Sequence, residues 1–221
     1  MNEFYIVRHG LTDMNLEMRL QGRTDMELNQ TGINQAKKAR AYLDEIDLNP
    51  DYVFSSPLKR AYKTATILAP QKAKEIVVDE RLIEMSFGEF ERKTLSEIAN
   101  IYPEFKTNFF EKTTKFKPQK GAESFEGLVE RVGGFVESMR AFDREHVDED
   151  NVIFIASHGV AIRGMVLYIN KIALKDFWNI HVHNCSMFKL TFKSDNIEGS
   201  EDKCLEFFEG YTDGIDKDSA W

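Results

Sequence analysis

The feature that most constrains this chain is an apolar run that stops at a histidine followed by glycine, and it occurs twice. Residues 4–7 (FYIV) break into Arg8-His9-Gly10, and residues 151–156 (NVIFIA) break into Ser157-His158-Gly159. A third run, 52–54 (YVF), stops at Ser55-Ser56-Pro57. Short apolar runs bounded by turn residues read as buried strands. Residues 31–43 set Ile33, Ala36, Ala39, Tyr42 and Leu43 near helical spacing. Pro57 suits the first turn of a helix running through Arg60 to about Leu68. Further along we expect a strand over 75–79, a helix opened by the Thr94-x-x-Glu97 capping box and ended near Pro103, and an irregular stretch over 104–120. A long helix over 124–146, despite Gly133-Gly134, a helix from Gly159 through Tyr168, and an antiparallel pair, 186–193 with 204–209, complete the reading. Strands alternating with helices predict an α/β fold: a three-layer sandwich with a mostly parallel sheet and helices on both faces.

At 221 residues, 42% of them hydrophobic, the chain suits a single domain over 1–221 with a small helical flap inserted at about 86–122. A net charge of −8 excludes bulk attraction to nucleic acid or an anionic membrane. Any anion site must therefore be a local positive cluster. Two cysteines, Cys185 and Cys204, are too few for a disulfide framework and read as reduced thiols. No apolar run reaches bilayer length, and a core strand beginning at about Phe4 leaves no room for a signal peptide, so a cytoplasmic protein is expected. An exposed edge strand near the C-terminus is compatible with a homodimer as well as a monomer.

Open α/β sheets bind ligands outside the carboxyl ends of their strands. The loops at Arg8-His9, Ser55 to Arg60 and Ser157-His158 all follow such ends, so two Arg and two His from distant parts of the sequence can converge there. That set suits an anion, and a phosphate dianion best, because guanidinium groups match phosphate oxygens in pairs. A helix starting just after Gly159 would add backbone N–H donors to the same anion.

The residues also carry a family resemblance. RHGLTDMN at 8–15 resembles the signature of the histidine phosphatase superfamily, which includes the cofactor-dependent phosphoglycerate mutases. The likeness continues through RLQGRTDMELNQTGINQA at 19–36, SSPLKRAYKTA at 55–65, RLIEMSFGEFE at 81–91, ESFEGLVERV at 123–132 and ASHG at 156–159. One Arg-His-Gly is a weak signal; six collinear blocks are a strong one. The resemblance implies that His9 accepts the phosphoryl group and Glu84 donates a proton. It makes Arg8, Arg60, His158, Asn15 and Gly159 phosphate contacts, and places Thr12, Gln21, Gly22 and Phe87 around the same pocket.

Those roles fit the chemistry. His9 must attack with a neutral ring nitrogen, so its other nitrogen should donate to a backbone carbonyl. Arg8, Arg60 and a protonated His158 would stabilise the transferring phosphoryl charge. Glu84 must be neutral to give the leaving alkoxide a proton and could then take one from the attacking water. No metal and no cofactor are expected, since the arginines neutralise the charge.

The bland readings stand beside these. Arg60 alone would be a surface arginine, Asn15 a helix cap, and Glu84 one of three nearby carboxylates with Glu89 and Glu91. The i, i+2 spacing of His181 and His183 would set both on one face of a strand, but no third ligand stands nearby and a satisfied or exposed pair is the better reading. Ser157 lacks the Gly-x-Ser-x-Gly elbow of a serine hydrolase, and no Walker or dinucleotide loop is present. Lys106, Lys112, Lys115, Lys117 and Lys120 read first as a solvated face; the sharper reading is a flap that meets a second anionic group. Three departures bear on the pocket: Leu11 where many members carry a polar residue, Phe87 where the mutases tend to have Tyr, and Arg92 where Gly is common.

Three functions follow: a phosphatase acting on a small phosphorylated substrate, a 2,3-bisphosphoglycerate-dependent phosphoglycerate mutase, and a non-catalytic phospho-ligand module. The mutases' longer insertion and paired arginines are missing between 85 and 122, which favours the phosphatase. A module that only binds has no need of the acid at Glu84.

Overall fold

The computed structural model describes residues 1–72, 74–192 and 202–209. The apolar runs become strands: β1 (Glu3–Arg8), β2 (Tyr52–Ser55), β3 (Val77–Val78), β4 (Val152–Ser157), β5 (Met187–Thr191) and β6 (Lys203–Phe208). They form one sheet in the order β3-β2-β4-β1-β5-β6. The first four in that order are parallel, and β5 and β6 add antiparallel to one edge. The helices are α1 (Asp13–Leu16), α2 (Gln30–Glu45), α3 (Lys59–Leu68), α4 (Leu95–Ile101), α5 (Phe125–Glu145) and α6 (Gly159–Ile169). This is the expected mostly parallel sheet with helices on both faces.

Side chains alternate across a strand, and here both sides are apolar because both faces are covered. Phe4 and Ile6 of β1, with Ile153 and Ile155 of β4, enter one core beside Leu128, Val132 and Phe135 of α5 and Val160 and Ile162 of α6. Tyr5, Val7, Phe154 and Ala156 enter the other, beside Ala36, Ala39 and Leu43 of α2 and Ala65 and Leu68 of α3. Small residues on α2 and α3 let those helices lie close to the sheet.

Register brings the ligand loops together. Arg8 stands opposite Ser157 in the β1–β4 ladder, so the next residues, His9 and His158, leave from adjacent strand ends. The His9 N–H bonds the Ser157 carbonyl at 3.1 Å, and the Ser56 N–H bonds the Ala156 carbonyl at 3.0 Å. The loop after His9 then presses onto the start of α2. A Cβ on Gly10 would lie 2.5 Å from the Gly32 carbonyl oxygen, and one on Gly32 would lie 2.1 Å from the Leu11 oxygen.

The segment 86–122 leaves and returns at one point: Phe87 bridges Ala122, and the Glu123 N–H bonds the Ser86 carbonyl at 2.9 Å. Its interior is aromatic. Phe109 is fully buried and meets Phe87, Phe105, Phe110, Phe116, Phe125 and Trp178 at centroid distances of 4.9–5.7 Å.

Several local expectations shift. The strand over 75–79 shrinks to Val77–Val78 at the sheet edge. The helix after Pro57 begins two residues later, at Lys59. The irregular stretch 104–120 contains a π-helical turn at Thr107–Glu111 and a 3-10 turn at Thr113–Lys115. α5 runs unbroken through Gly133 and Gly134, since a good Ser124 cap and a buried apolar face outweigh two weak helix formers. The Thr94 capping box forms with Glu97. In the antiparallel pair, the end expected at Lys193 lies outside the described residues. Cys185 and Cys204 are free and buried.

Two glycine substitutions separate close packing from backbone entropy. Gly32→Ala forces backbone apart and should destabilise by about 1–3 kcal/mol. Gly134→Ala meets no atom within 4 Å and should stabilise by about 0.5–1 kcal/mol, as Ala does at an exposed helix-interior site. Urea unfolding midpoints moving in opposite directions would bear this out; movement in the same direction would refute it.

Candidate active site

Arg8, His9, Asn15, Gln21, Gly22, Arg60, Glu84 and Phe87 line one cleft at the carboxyl ends of the strands. His158 is fully buried at its floor, its ring centroid 5.1 Å from that of His9. The structure thus brings together most of the residues that the sequence singled out. Thr12 and Gly159 stand just outside the lining. Thr12 forms a capping box with Asn15 and holds Gln21, its Oγ1 being 2.9 Å from the Gln21 carboxamide. With its Oδ1 facing the Thr12 N–H at 3.2 Å, Asn15 keeps its NH₂ group as a donor, so it serves as cap and cleft residue together.

His9 has its tautomer set by the backbone. Its Nδ1 lies 2.7 Å from the Gly10 carbonyl oxygen, which accepts the ring proton and leaves Nε2 with a lone pair. Burial, then the Arg60 and Arg8 charges, push its pKa well below the usual histidine value, so the ring is neutral at pH 7. Nε2 accepts a 3.3 Å hydrogen bond from Arg60 Nε. The other Arg60 nitrogens donate to the Thr24 and Gly22 carbonyls at 2.8 and 2.7 Å.

His158 departs from expectation. Burial, then Arg60, His9 and Arg8, push its pKa well below the usual value, so it is neutral and not protonated. It can still donate. Its Nε2 is 2.7 Å from Ser56 Oγ, which itself accepts the Leu58 N–H at 3.3 Å. With the serine proton directed to Nε2, Nδ1 carries the ring proton. Nδ1 of His158 and Nε of Arg8 are both buried without a hydrogen-bond partner. Burial, then Arg163, push Arg8 down to about 9, which leaves it charged at neutral pH. Its terminal nitrogen donates to the Val182 carbonyl at 2.6 Å. Two unpartnered buried donors beside a neutral imidazole lone pair are costly unless an acceptor arrives, and a tetrahedral oxyanion supplies one.

Glu84 also departs from expectation, in its partners. Its Oε1 accepts the Met85 and Ala161 N–H groups, both at 2.9 Å, and its Oε2 accepts the Val160 N–H at 3.2 Å. Two of the α6 N–H groups expected to meet an anion, those of Val160 and Ala161, are thus held by this carboxylate, which leaves out that of Gly159. Oε2, with one long bond, is the oxygen with capacity for a proton. The segment carrying Glu84 is fixed by Arg131, which donates to the Arg81 and Ile83 carbonyls at 2.8 Å, and by Ser157, which donates to the Leu82 carbonyl at 2.8 Å. Of the rival carboxylates, Glu89 is exposed and Glu91 accepts from the Arg23 N–H and Thr24 hydroxyl.

The sequence reading missed the rest of the lining: Arg19, Leu20, Phe109, Val160 and Trp178. It also missed Ser56, and Asn184, whose side chain donates to the His9 carbonyl at 2.9 Å. Ser56 was traceable, since it precedes Pro57 in the loop paired with β4; Asn184 and Trp178 gave no local signal. All five lysines of 106–120 are exposed and outside the lining, so the segment turns its phenylalanines inward. The His181 and His183 rings stack at 6.4 Å, and among the described residues no three His, Cys, Asp or Glu converge as a metal would require. No helix of the described residues is long and apolar enough to cross a membrane.

Residues 4–200 match the Histidine phosphatase superfamily (branch 1), and the chain belongs to that family. It is 32% identical over 186 residues to phosphoserine phosphatase 1 of Hydrogenobacter thermophilus, covering 84% of each chain. It is also 32% identical to phosphoglycerate mutase-like protein 4 of Arabidopsis thaliana, over 74% of this chain and 69% of the relative. The structure of a mycobacterial glucosyl-3-phosphoglycerate phosphatase in complex with VO3 superposes with a TM-score of 0.78 at 25% identity, over 95% of this chain and 99% of that one. Family and phosphatase-named relatives together make this chain an enzyme of the phosphatase class.

The buried imidazoles give a pH signature. Unfolded histidines bind a proton below about pH 6.5, whereas His9 and His158 in the folded chain do not. Stability is therefore retained above that pH and lost as pH falls, by up to about 1.4 kcal/mol per unit for each ring. In urea titrations at pH 7.5 and 5.5, in buffers without phosphate, His158→Gln should lose less stability than the native chain. Equal losses would show that His158 is charged when folded.

Proposed function

We infer that the protein hydrolyses small phosphomonoesters through a phosphohistidine on His9. The observation that carries this reading is the neutral His9 Nε2 lone pair set beside two buried donors, Arg8 Nε and His158 Nδ1, that have no partner. A substrate phosphate entering the cleft supplies the acceptor. Arg60 Nε, now on His9 Nε2, turns to a phosphate oxygen and frees the lone pair. The Asn15 NH₂ group and the Gly159 N–H complete the contacts.

In the first step Nε2 forms a bond to phosphorus as the ester P–O bond breaks, and a proton on Glu84 Oε2 passes to the leaving oxygen. In the second, the Glu84 carboxylate takes a proton from water, the water oxygen bonds to phosphorus, and the N–P bond returns its electron pair to Nε2. The products are the alcohol and inorganic phosphate. Arg8 and Arg60 neutralise the phosphoryl charge, the part that Mg²⁺ plays in other phosphoryl-transfer enzymes, so EDTA should leave turnover unchanged. His158 contributes an Nδ1–H hydrogen bond to the same phosphate.

The mutase reading keeps a relative in its favour, the mutase-like protein of Arabidopsis. Against it, a mutase must hold a bisphosphate in both orientations, and the lysines of 106–120 stay outside the cleft. Incubation with p-nitrophenyl phosphate should release phosphate steadily, while 3-phosphoglycerate with 2,3-bisphosphoglycerate should show no isomerisation. Net isomerisation would make the mutase reading the correct one, and absence of both reactions would leave a binding module. His9→Ala should lower turnover at least about 10³-fold. Glu84→Gln should slow phosphoenzyme formation from an alkyl phosphate on the order of 10²-fold, and from p-nitrophenyl phosphate far less, because nitrophenolate leaves without a proton.

A further inference from the structure

The cleft beyond the phosphate clamp is walled by carbon. Leu20, Phe87, Phe109, Val160 and Trp178 line it together. The polar end of the indole is used: Trp178 Nε1 donates to the Phe109 carbonyl at 2.6 Å. The Arg163 guanidinium lies 5.0 Å from the Trp178 ring centroid, and its own nitrogens donate to the Ile180 and Gly159 carbonyls. Phe87 meets Phe109 edge-on at 5.7 Å, which fixes both rings. The wall is thus rigid and presents no spare hydrogen-bonding atom from its largest side chains.

Apart from Arg8 and Arg60, the arginine of the lining is Arg19, and its charge is already matched. It pairs with Glu17 at 2.8 Å and Glu97 at 2.9 Å, and donates to the Arg92 carbonyl at 2.9 Å. Glu97 is itself held by the Thr94 N–H at 2.7 Å, so this arrangement is anchored to α4. A carboxylate on the substrate's alcohol portion would meet an arginine already shared by two carboxylates, or sit against aromatic rings.

We propose that the preferred substrates are phosphomonoesters of uncharged, apolar alcohols, with an aryl or alkyl group seated against Phe87, Phe109 and Trp178. Phosphoamino acids and phosphoglycerates are poorer. This rests on the phosphatase reading above and narrows it. The preference is set by burial of apolar surface on one side and by an unmatched anion on the other.

The test compares kcat/KM of the native chain for benzyl phosphate, glycerol 3-phosphate, O-phosphoserine and 3-phosphoglycerate, all esters of aliphatic alcohols. Benzyl phosphate should exceed each of the others at least about tenfold. Trp178→Ala should reduce that advantage several-fold while glycerol 3-phosphate turnover persists, which separates a lost wall from a lost fold. Equal or faster hydrolysis of O-phosphoserine or 3-phosphoglycerate would overturn the proposal and leave the phosphatase reading standing. Hydrolysis of none of the four would remove both.

Discussion

Two guanidinium groups and two imidazoles are buried at the carboxyl ends of β1, β2 and β4, and much of the surrounding structure serves to keep them there. Guanidinium groups in this setting need acceptors, and the chain supplies backbone carbonyls: Val182 for Arg8, and Gly22 and Thr24 for Arg60. Those carbonyls belong to loops that the sheet alone would not order. The cations therefore organise the loops as much as the loops organise the cations. The imidazoles solve the same problem by shedding charge, since burial and the adjacent arginines hold both rings neutral. What stays unmatched is a pair of buried nitrogens, Arg8 Nε and His158 Nδ1.

Neutrality divides the work. His9 uses the Gly10 carbonyl to keep its proton on Nδ1 and its lone pair on Nε2, as a nucleophile requires. His158 holds the same tautomer through Ser56, which occupies its Nε2, and so offers Nδ1–H as a donor instead of a lone pair. Two identical side chains take complementary roles because each has a different second-nitrogen partner. Glu84 stands apart from the clamp, held at the start of α6 by three backbone N–H groups.

Much of this was legible in the sequence, for identifiable reasons. The runs ending in His9-Gly10 and His158-Gly159 mark strand ends, and a parallel sheet sets such ends side by side, so convergence followed from topology. The neutrality of His158 in the unliganded chain did not, because charge state depends on burial and on Arg60, which is remote in sequence. The partners of Glu84 were also hidden: a helix N-terminus attracts anions in general, and only the fold shows that a side chain reaches it first. In segment 104–120 the lysines form the solvated face expected of them, but what packs beneath them was not legible. Its lysines are conspicuous, but its phenylalanines do the packing, and neither periodicity nor spacing reveals which face turns inward. Trp178 and Asn184 enter the site from a connection between elements with no pattern of its own. Its contributions to the cleft wall and to the His9 carbonyl are tertiary.

The account depends most on covalent transfer to one nitrogen of one side chain. Rapid alkaline quenching of the enzyme with a ³²P-labelled phosphomonoester, followed by peptide mapping, tests it directly. The account predicts a label on His9 that is stable in base and lost in acid, as a phosphoramidate must be. A label on any other residue, or turnover through a pre-steady-state burst with no labelled protein at all, would contradict it.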